Sequence, residues 1–124
     1  MITMQRANCP GPSQDGPRYL VDRLWPRGVK KAELHLDGWL KDVSPSNALR
    51  RRYHHDPTKW EEFRRRYFRE LDANPAAWEL LLQAARHGDV TLVYGAHDAE
   101  HNNAVALKEY LEEKLRHETS TVAA

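Results

Sequence analysis

The run VTLVYGA, Val90 to Ala96, is apolar without a break and rich in β-branched residues. That pattern reads as a strand buried on both faces, as in a parallel sheet. Tyr19 to Leu24 reads as a second strand, apolar except for Asp22 and Arg23. Ile2 to Gln5 reads as a short third strand. It lies within an otherwise irregular N-terminal segment, residues 1–17, whose CPGPSQDGP stretch breaks any regular element.

Helical spacing governs most of the rest. Lys30 to Lys41, with Leu34, Leu36, Trp39 and Leu40, reads as a short helix followed by an irregular segment. Three starts then share one device, a capping residue followed by proline at the first helical position. They are Ser44-Pro45, Asp56-Pro57 and Asn74-Pro75. After the second, Trp60, Phe63, Tyr67 and Leu71 fall on one helical face, opposite Glu61, Glu62, Arg64 and Arg65. After the third, Trp78, Leu81, Leu82 and Ala85 make the apolar stripe and Gly88 is placed to end the helix. A last helix carries Ala104, Leu107, Leu111 and Leu115, and residues 118–124 read as a frayed tail.

The order is strand, helices, strand, helix. It predicts a small single α/β domain, residues 1–124, with a short, mostly parallel sheet flanked by helices. In such sheets ligands bind beyond the carboxyl ends of the strands. DRLWPRG ends one strand and YGAHDAEHN ends the other. If the two strands are parallel neighbours, these segments meet.

Composition narrows the partners. Lys and Arg total 19 against 18 Asp and Glu, a net charge of +1, so the chain has no global field for nucleic acid or an anionic membrane. Any electrostatic function must come from local clustering. Cys9 is the only cysteine, which fits a reducing compartment. No run is long or apolar enough for a membrane span and no secretory pattern opens the chain, so a cytoplasmic location is expected.

The candidate chemistry sits at the two strand ends. A charge in a buried strand must be paired. Asp22 and Arg23 therefore either staple the sheet to a helix or serve a site. In the second case Arg23 and Arg27 form a fork for an anion, Trp25 supplies a wall, and Pro26 and Gly28 fix the loop. In HDAEHN, Asp98 is placed to cap the last helix, with His101 and Asn102 in its first turn. The dipole there disfavours a charged imidazole, leaving His101 a neutral acid–base group. His97 and His101 are four apart, but no third ligand accompanies them and no metal site is expected. His55, held before the Asp56-Pro57 turn, is a further candidate, whereas His35, His54, His87 and His117 read as surface or local packing residues. Arginines 50–52 and 64–66 are interleaved with aromatics, yet consecutive residues fan around a helix and glutamates dilute the second run.

VDRLWPRG, DGWLKDVSPS, HDPTKWEEFRRRY and TLVYGAHDAEHNNAVALKEYL together resemble the bacterial YeaO-like branch of the family known as domain of unknown function 488. The resemblance spans about Tyr19 to Leu111. It implies an α/β fold and a small cytoplasmic protein of bacterial or archaeal type, and it supplies no function. Matching motif by motif, it implicates Asp22, Arg23, Trp25, Arg27, His55, Trp60, Tyr94, Asp98, His101 and Asn102. His97 departs from the family pattern, where lysine is commoner, and Cys9 lies outside the motifs, so a cysteine nucleophile is not supported.

The resulting expectation is a polar pocket at the strand ends that binds a small anionic ligand such as a nucleotide or phosphoester. Asp98 and His101 would be its acid–base residues if it is an enzyme. Asp22, Arg23, Trp25, Arg27, His55, Tyr94 and Asn102 would contact the ligand, and no cofactor is specified. Two alternatives stand beside it. One is nucleic-acid binding through the arginine runs. The other is a domain without a ligand, whose charged motifs only lock the fold.

Overall fold

The computed structural model describes residues 1–7, 16–54 and 56–123, with side chains described through Glu118. Strand β1 spans Ile2–Arg6, β2 Arg18–Leu20, β3 Gly38–Trp39 and β4 Val90–Tyr94. Helix α1 spans Lys31–Leu34, α2 Asn47–Tyr53, α3 Trp60–Ala73, α4 Pro75–His87 and α5 Asn103–Ala123. Single 3-10 turns at Lys41–Val43 and Pro57–Lys59 lead into α2 and α3.

Among the described residues the sheet has the order β1-β4-β2-β3, and every pairing is parallel. The domain is thus a small α/β fold. β4 lies inside the sheet and all five of its residues are buried, as its unbroken apolar run predicts. Side chains alternate across the sheet. Val90, Leu92, Tyr94 and Val21 join the large core with Phe63, Tyr67, Trp78, Leu81 and Leu107 from the helices. Val93 and Leu20 face the other way, into a smaller cluster with Ala7 and Leu34, covered by Trp25, Val29, Leu36 and Trp39.

Several expected boundaries move, each for a local reason. Residues 1–17 are not irregular throughout, because β1 pairs with β4 from Ile2↔Val90 to Arg6↔Tyr94. The strand expected over Tyr19 to Leu24 ends at Leu20. Val21 still donates to Val93 O at 3.0 Å, but Asp22 and Arg23 lie beyond the strand in the turn that follows. Gly38–Trp39, expected to be irregular, forms the edge strand β3. A side chain at Gly38 would crowd the Tyr19 ring at 3.0 Å, so glycine lets that ring lie close over the pairing. The cap of α2 is Ser46 and not Ser44: Ser46 Oγ accepts from Leu49 N at 3.2 Å, and its own N–H donates to Glu70 at 2.8 Å. Ser44 is instead held in the preceding turn, donating to Lys41 O at 2.6 Å. α5 continues through the expected tail to Ala123, and a bidentate Arg86–Glu118 pair ties its later turns to α4.

Candidate functional site

β2 and β4 are adjacent and parallel, so their carboxyl ends open side by side. Their register, Leu20↔Val93, places Asp22 level with Gly95 two residues further on. The Gly95 N–H donates to Asp22 Oδ2 at 2.8 Å. A methyl group at Gly95 would stand 3.1 Å from that oxygen, so glycine gives the bond room. Asn103, the first residue of α5, donates through Nδ2 to Val21 O at 2.9 Å and to Asp22 Oδ1 at 3.0 Å. One carboxylate thus ties together two strand ends and the start of a helix. Trp39 Nε1 adds a bond to Asp22 O at 2.6 Å, and the Lys41 ammonium lies 4.1 Å from the centre of that indole.

The loop after β4 is built on Asp98. Its Oδ1 accepts from Glu100 N at 2.9 Å and His101 N at 3.0 Å, and its Oδ2 meets His101 Nδ1 at 3.1 Å. The Glu100 N–H is the main cause holding the Asp98 carboxyl below its ordinary range, with His101 adding to it. Asp98 therefore caps a turn and not the helix. The cap of α5 is Asn102, whose Oδ1 accepts from Val105 N at 3.0 Å while its Nδ2 donates to Asp98 O at 2.8 Å. His101 and Asn102 precede α5, so neither lies in its first turn, and His97 and His101 do not share a helix. The His101 ring stands edge-on to Trp60, with centroids 5.3 Å apart. Its carbonyl accepts from the Tyr53 hydroxyl at 3.3 Å. Burial is the main cause raising the Tyr53 phenol, and the charges of Asp98 and Asp56 add to it.

Between these loops and the start of α2 lies a cavity of about 510 Å³. Asp22, Arg23, Trp25, Asp98 and Asn102 line it, as the sequence suggests. Other candidates fall elsewhere. Arg27 is exposed and stands outside the lining, because Pro26 is the buried member of the turn, packed near Gly95. Gly28, at φ +78°, carries the chain onward in a conformation that suits glycine. Tyr94 is buried in the large core. His101 supports the Asp98 loop from outside the lining. His55 and Cys9 lie outside the described residues.

The cavity also takes in residues the sequence did not single out for it. Arg50, Tyr53 and Phe63 arrive from α2 and α3, Ser44 and Pro45 from the segment before α2, and Asn103 from α5. The one available signal was the Asn102-Asn103 doublet beside the last helix; the others depend on how α2 packs.

Arg23 is the most telling of the lining residues. Its Nη2 reaches Ser44 O and Pro45 O only at 3.5 and 3.4 Å. Its Nε is buried without a hydrogen-bond partner. Among the described residues neither Arg23 nor Arg50 forms an ion pair with a carboxylate; Arg50 donates to Asn47 Oδ1 at 3.3 Å. Several of the other arginines are committed to carboxylates. Arg64 pairs with Glu61 and Glu109, while Arg52 and Arg66 both pair with Glu62. Among the described residues no group of three or more His, Cys, Asp or Glu side chains could hold a metal ion. No helix there is long and apolar enough to cross a membrane.

This combination of a small parallel α/β domain, a DRLWPRG turn and an Asp-x-x-His-Asn loop can now be set against known proteins. The chain belongs to the inactive DUF488-N3 subclade, whose family profile matches residues 1–124. It is 38% identical over 110 residues to the uncharacterized protein YeaO of Escherichia coli (strain K12), covering 89% of this chain and 96% of that protein. It is 40% identical over 97 residues to the uncharacterized protein Rv3073c of Mycobacterium tuberculosis (strain H37Rv), covering 78% of this chain and 81% of that protein. No solved structure matches the chain significantly.

Proposed function

We propose that this protein binds a small anionic ligand in the cavity at the carboxyl ends of β2 and β4 and does not turn it over. One observation carries the reading. Arg23 lines a cavity of ligand size, its Nη2 makes only long contacts to two carbonyls, and among the described residues it has no carboxylate partner. Its Nε is occluded, so the terminal Nη groups are what this guanidinium offers a ligand. A guanidinium with donors to spare takes a carboxylate or phosphate oxygen.

The absence of turnover is supported by where the acid–base candidates stand. Asp98 and His101 are bonded to each other and to the loop backbone, and His101 is outside the lining. Their geometry suits holding the loop. Membership of a subclade described as inactive agrees with this. The single cysteine fits a reducing, cytoplasmic setting, which is part of the proposal.

The test is a thermal-shift and calorimetric titration of the whole chain with phosphate, acetate, benzoate and ATP, run beside Arg23→Ala. Saturable binding of at least one anion is expected, weakened by about tenfold or more in Arg23→Ala and retained in His101→Gln. Binding of no anion, or binding indifferent to Arg23→Ala, would sink the proposal.

A further inference from the structure

The chemistry of the lining narrows which anion the cavity takes. We infer that the ligand is an aromatic monocarboxylate, a flat apolar ring bearing one carboxylate, and not a polyphosphate or a sugar phosphate. This rests on the anion-binding reading above and goes on to specify the ligand class.

Three features of the lining carry it. The first is charge. Asp22 and Asp98 stand in the same cavity wall as Arg23 and Arg50, so the formal charges balance. A ligand with three or four negative charges would meet two carboxylates as well as two guanidinium groups. A single carboxylate at the Nη groups of Arg23 meets much less of that repulsion.

The second is the shortage of free directional polar groups. Asp22 already accepts from Gly95 and Asn103, and Asp98 from Glu100 and His101. The Asn102 side chain spans Asp98 O and Val105 N. The Asn103 amide donates to Val21 O and Asp22, Ser44 Oγ to Lys41 O, and Trp25 Nε1 to Val29 O. Tyr53 donates to His101 O and His97 Nδ1 bonds Arg6, so most of the side chains that could recognise ribose or hexose hydroxyls already hold protein partners. A hydroxyl-rich body would be desolvated with few directional partners to compensate it.

The third is the remaining wall. Leu24, Trp25, Pro26, Pro45, Phe63 and Ala96 supply apolar surface around the two arginines. Leu24 is a large apolar side chain left 64% exposed at this site. A ring bound there covers it and gains the apolar contact.

The experiment is isothermal titration of the full chain with 2-naphthoate, its neutral isostere 2-naphthamide, acetate and pyrophosphate. It is run on wild type, Arg23→Lys and Leu24→Ser, with circular dichroism of each variant. Naphthoate is expected to bind about tenfold or more tighter than each of the other three. Arg23→Lys, which keeps the charge and loses the fork, and Leu24→Ser, which loses the ring contact, should each weaken naphthoate several-fold with the spectrum unchanged. Pyrophosphate binding tighter than naphthoate, and weakened by Arg23→Lys, would overturn the ligand class and leave the anion site standing. Naphthamide binding as tightly as naphthoate would overturn the carboxylate. Binding of none of the four, with benzoate failing too, would overturn this inference, and the anion site itself falls if phosphate and ATP also fail or if their binding ignores Arg23→Ala.

Discussion

Asp22 Oδ2 accepts a 2.8 Å hydrogen bond from the backbone N–H of Gly95, joining the exits of β2 and β4 across 73 residues of sequence. The other oxygen takes the Asn103 amide at 3.0 Å. The cavity wall is therefore held by the same carboxylate that closes the sheet edge.

Asp22→Ala leaves the Gly95 N–H and the Asn103 amide without that acceptor. Charge-assisted bonds of this kind place the loss of stability at about 2 kcal/mol. Asp22→Asn keeps one acceptor and should lose less. Urea unfolding midpoints check this; an alanine variant within about 0.5 kcal/mol of wild type would mean the bridge carries little of the fold's stability.

Gly95→Ala tests the same contact from the other side. The new methyl group would stand 3.1 Å from Asp22 Oδ2 and 3.4 Å from Pro26 Cβ. The crowding should destabilise by about 1 kcal/mol. It should be less than additive with Asp22→Ala, which removes the carboxylate the methyl meets, and a double-mutant cycle measures the difference.

Tyr67 is fully buried and its hydroxyl donates to Val43 O. Tyr67→Phe should destabilise by about 1 to 2 kcal/mol by stranding that carbonyl. Burial also pushes the Tyr67 phenol far above its ordinary value, with the charges of Glu70 and Asp22 adding to the shift. A raised folded value means the contribution is complete below the unfolded tyrosine value of about 10 and is lost as pH rises beyond it. Tyr110, raised by burial and by its bond to Asp72, acts in the same direction. Denaturant midpoints from pH 8 upward should fall above about pH 10, less steeply in Tyr67→Phe. An equally steep fall in that variant would assign the alkaline loss to other groups.

Asp98 governs the opposite limb. The Glu100 N–H and then His101 hold its carboxyl below the ordinary range. A depressed folded value means the contribution is present above the unfolded value of about 3.9 and is lost as pH falls through the folded one. Asp56, held down first by the Thr58 hydroxyl, and Glu62, held down first by Arg52, share that acid window. Asp98→Asn should flatten the acid limb of the stability profile without removing it. An unchanged limb would show that the Asp98 turn contributes nothing to acid stability.

Local pattern made much of this protein legible before its folding was known. The unbroken Val90-to-Tyr94 run is buried at every residue, since only a strand inside the sheet can use such a sequence. Phe63, Tyr67 and Leu71 are buried along one stripe of α3, and Trp78, Leu81 and Leu82 along one of α4, as helical spacing requires. Proline opened the Pro57 turn and α4, where its missing N–H removes no bond. Asp22, Arg23, Trp25, Asp98 and Asn102 could be placed together because parallel strands open their carboxyl ends on one side.

What the sequence could not decide were choices between equivalent local partners. Ser44 and Ser46 are equally good caps in isolation; Glu70, 24 residues away, accepts the Ser46 N–H and selects it. Asp98 and Asn102 both precede the last helix, and the turn that spends Asp98 on Glu100 and His101 leaves the cap to Asn102. Arg23 and Arg27 are four apart on one signature, yet burial of Pro26 against Gly95 puts one arginine in the cavity wall and the other outside it. Arg50 and Phe63 reach the same cavity only because α2 and α3 pack across the strand ends. The sequence by itself determined most of the helices, the buried strand Val90–Tyr94 and the strand ends at which charge gathers, because those follow from the spacing of apolar residues. The tertiary structure decided which charges are spent on the fold and which line the cavity without an ion-pair partner, because that depends on donors and acceptors brought together from distant parts of the chain.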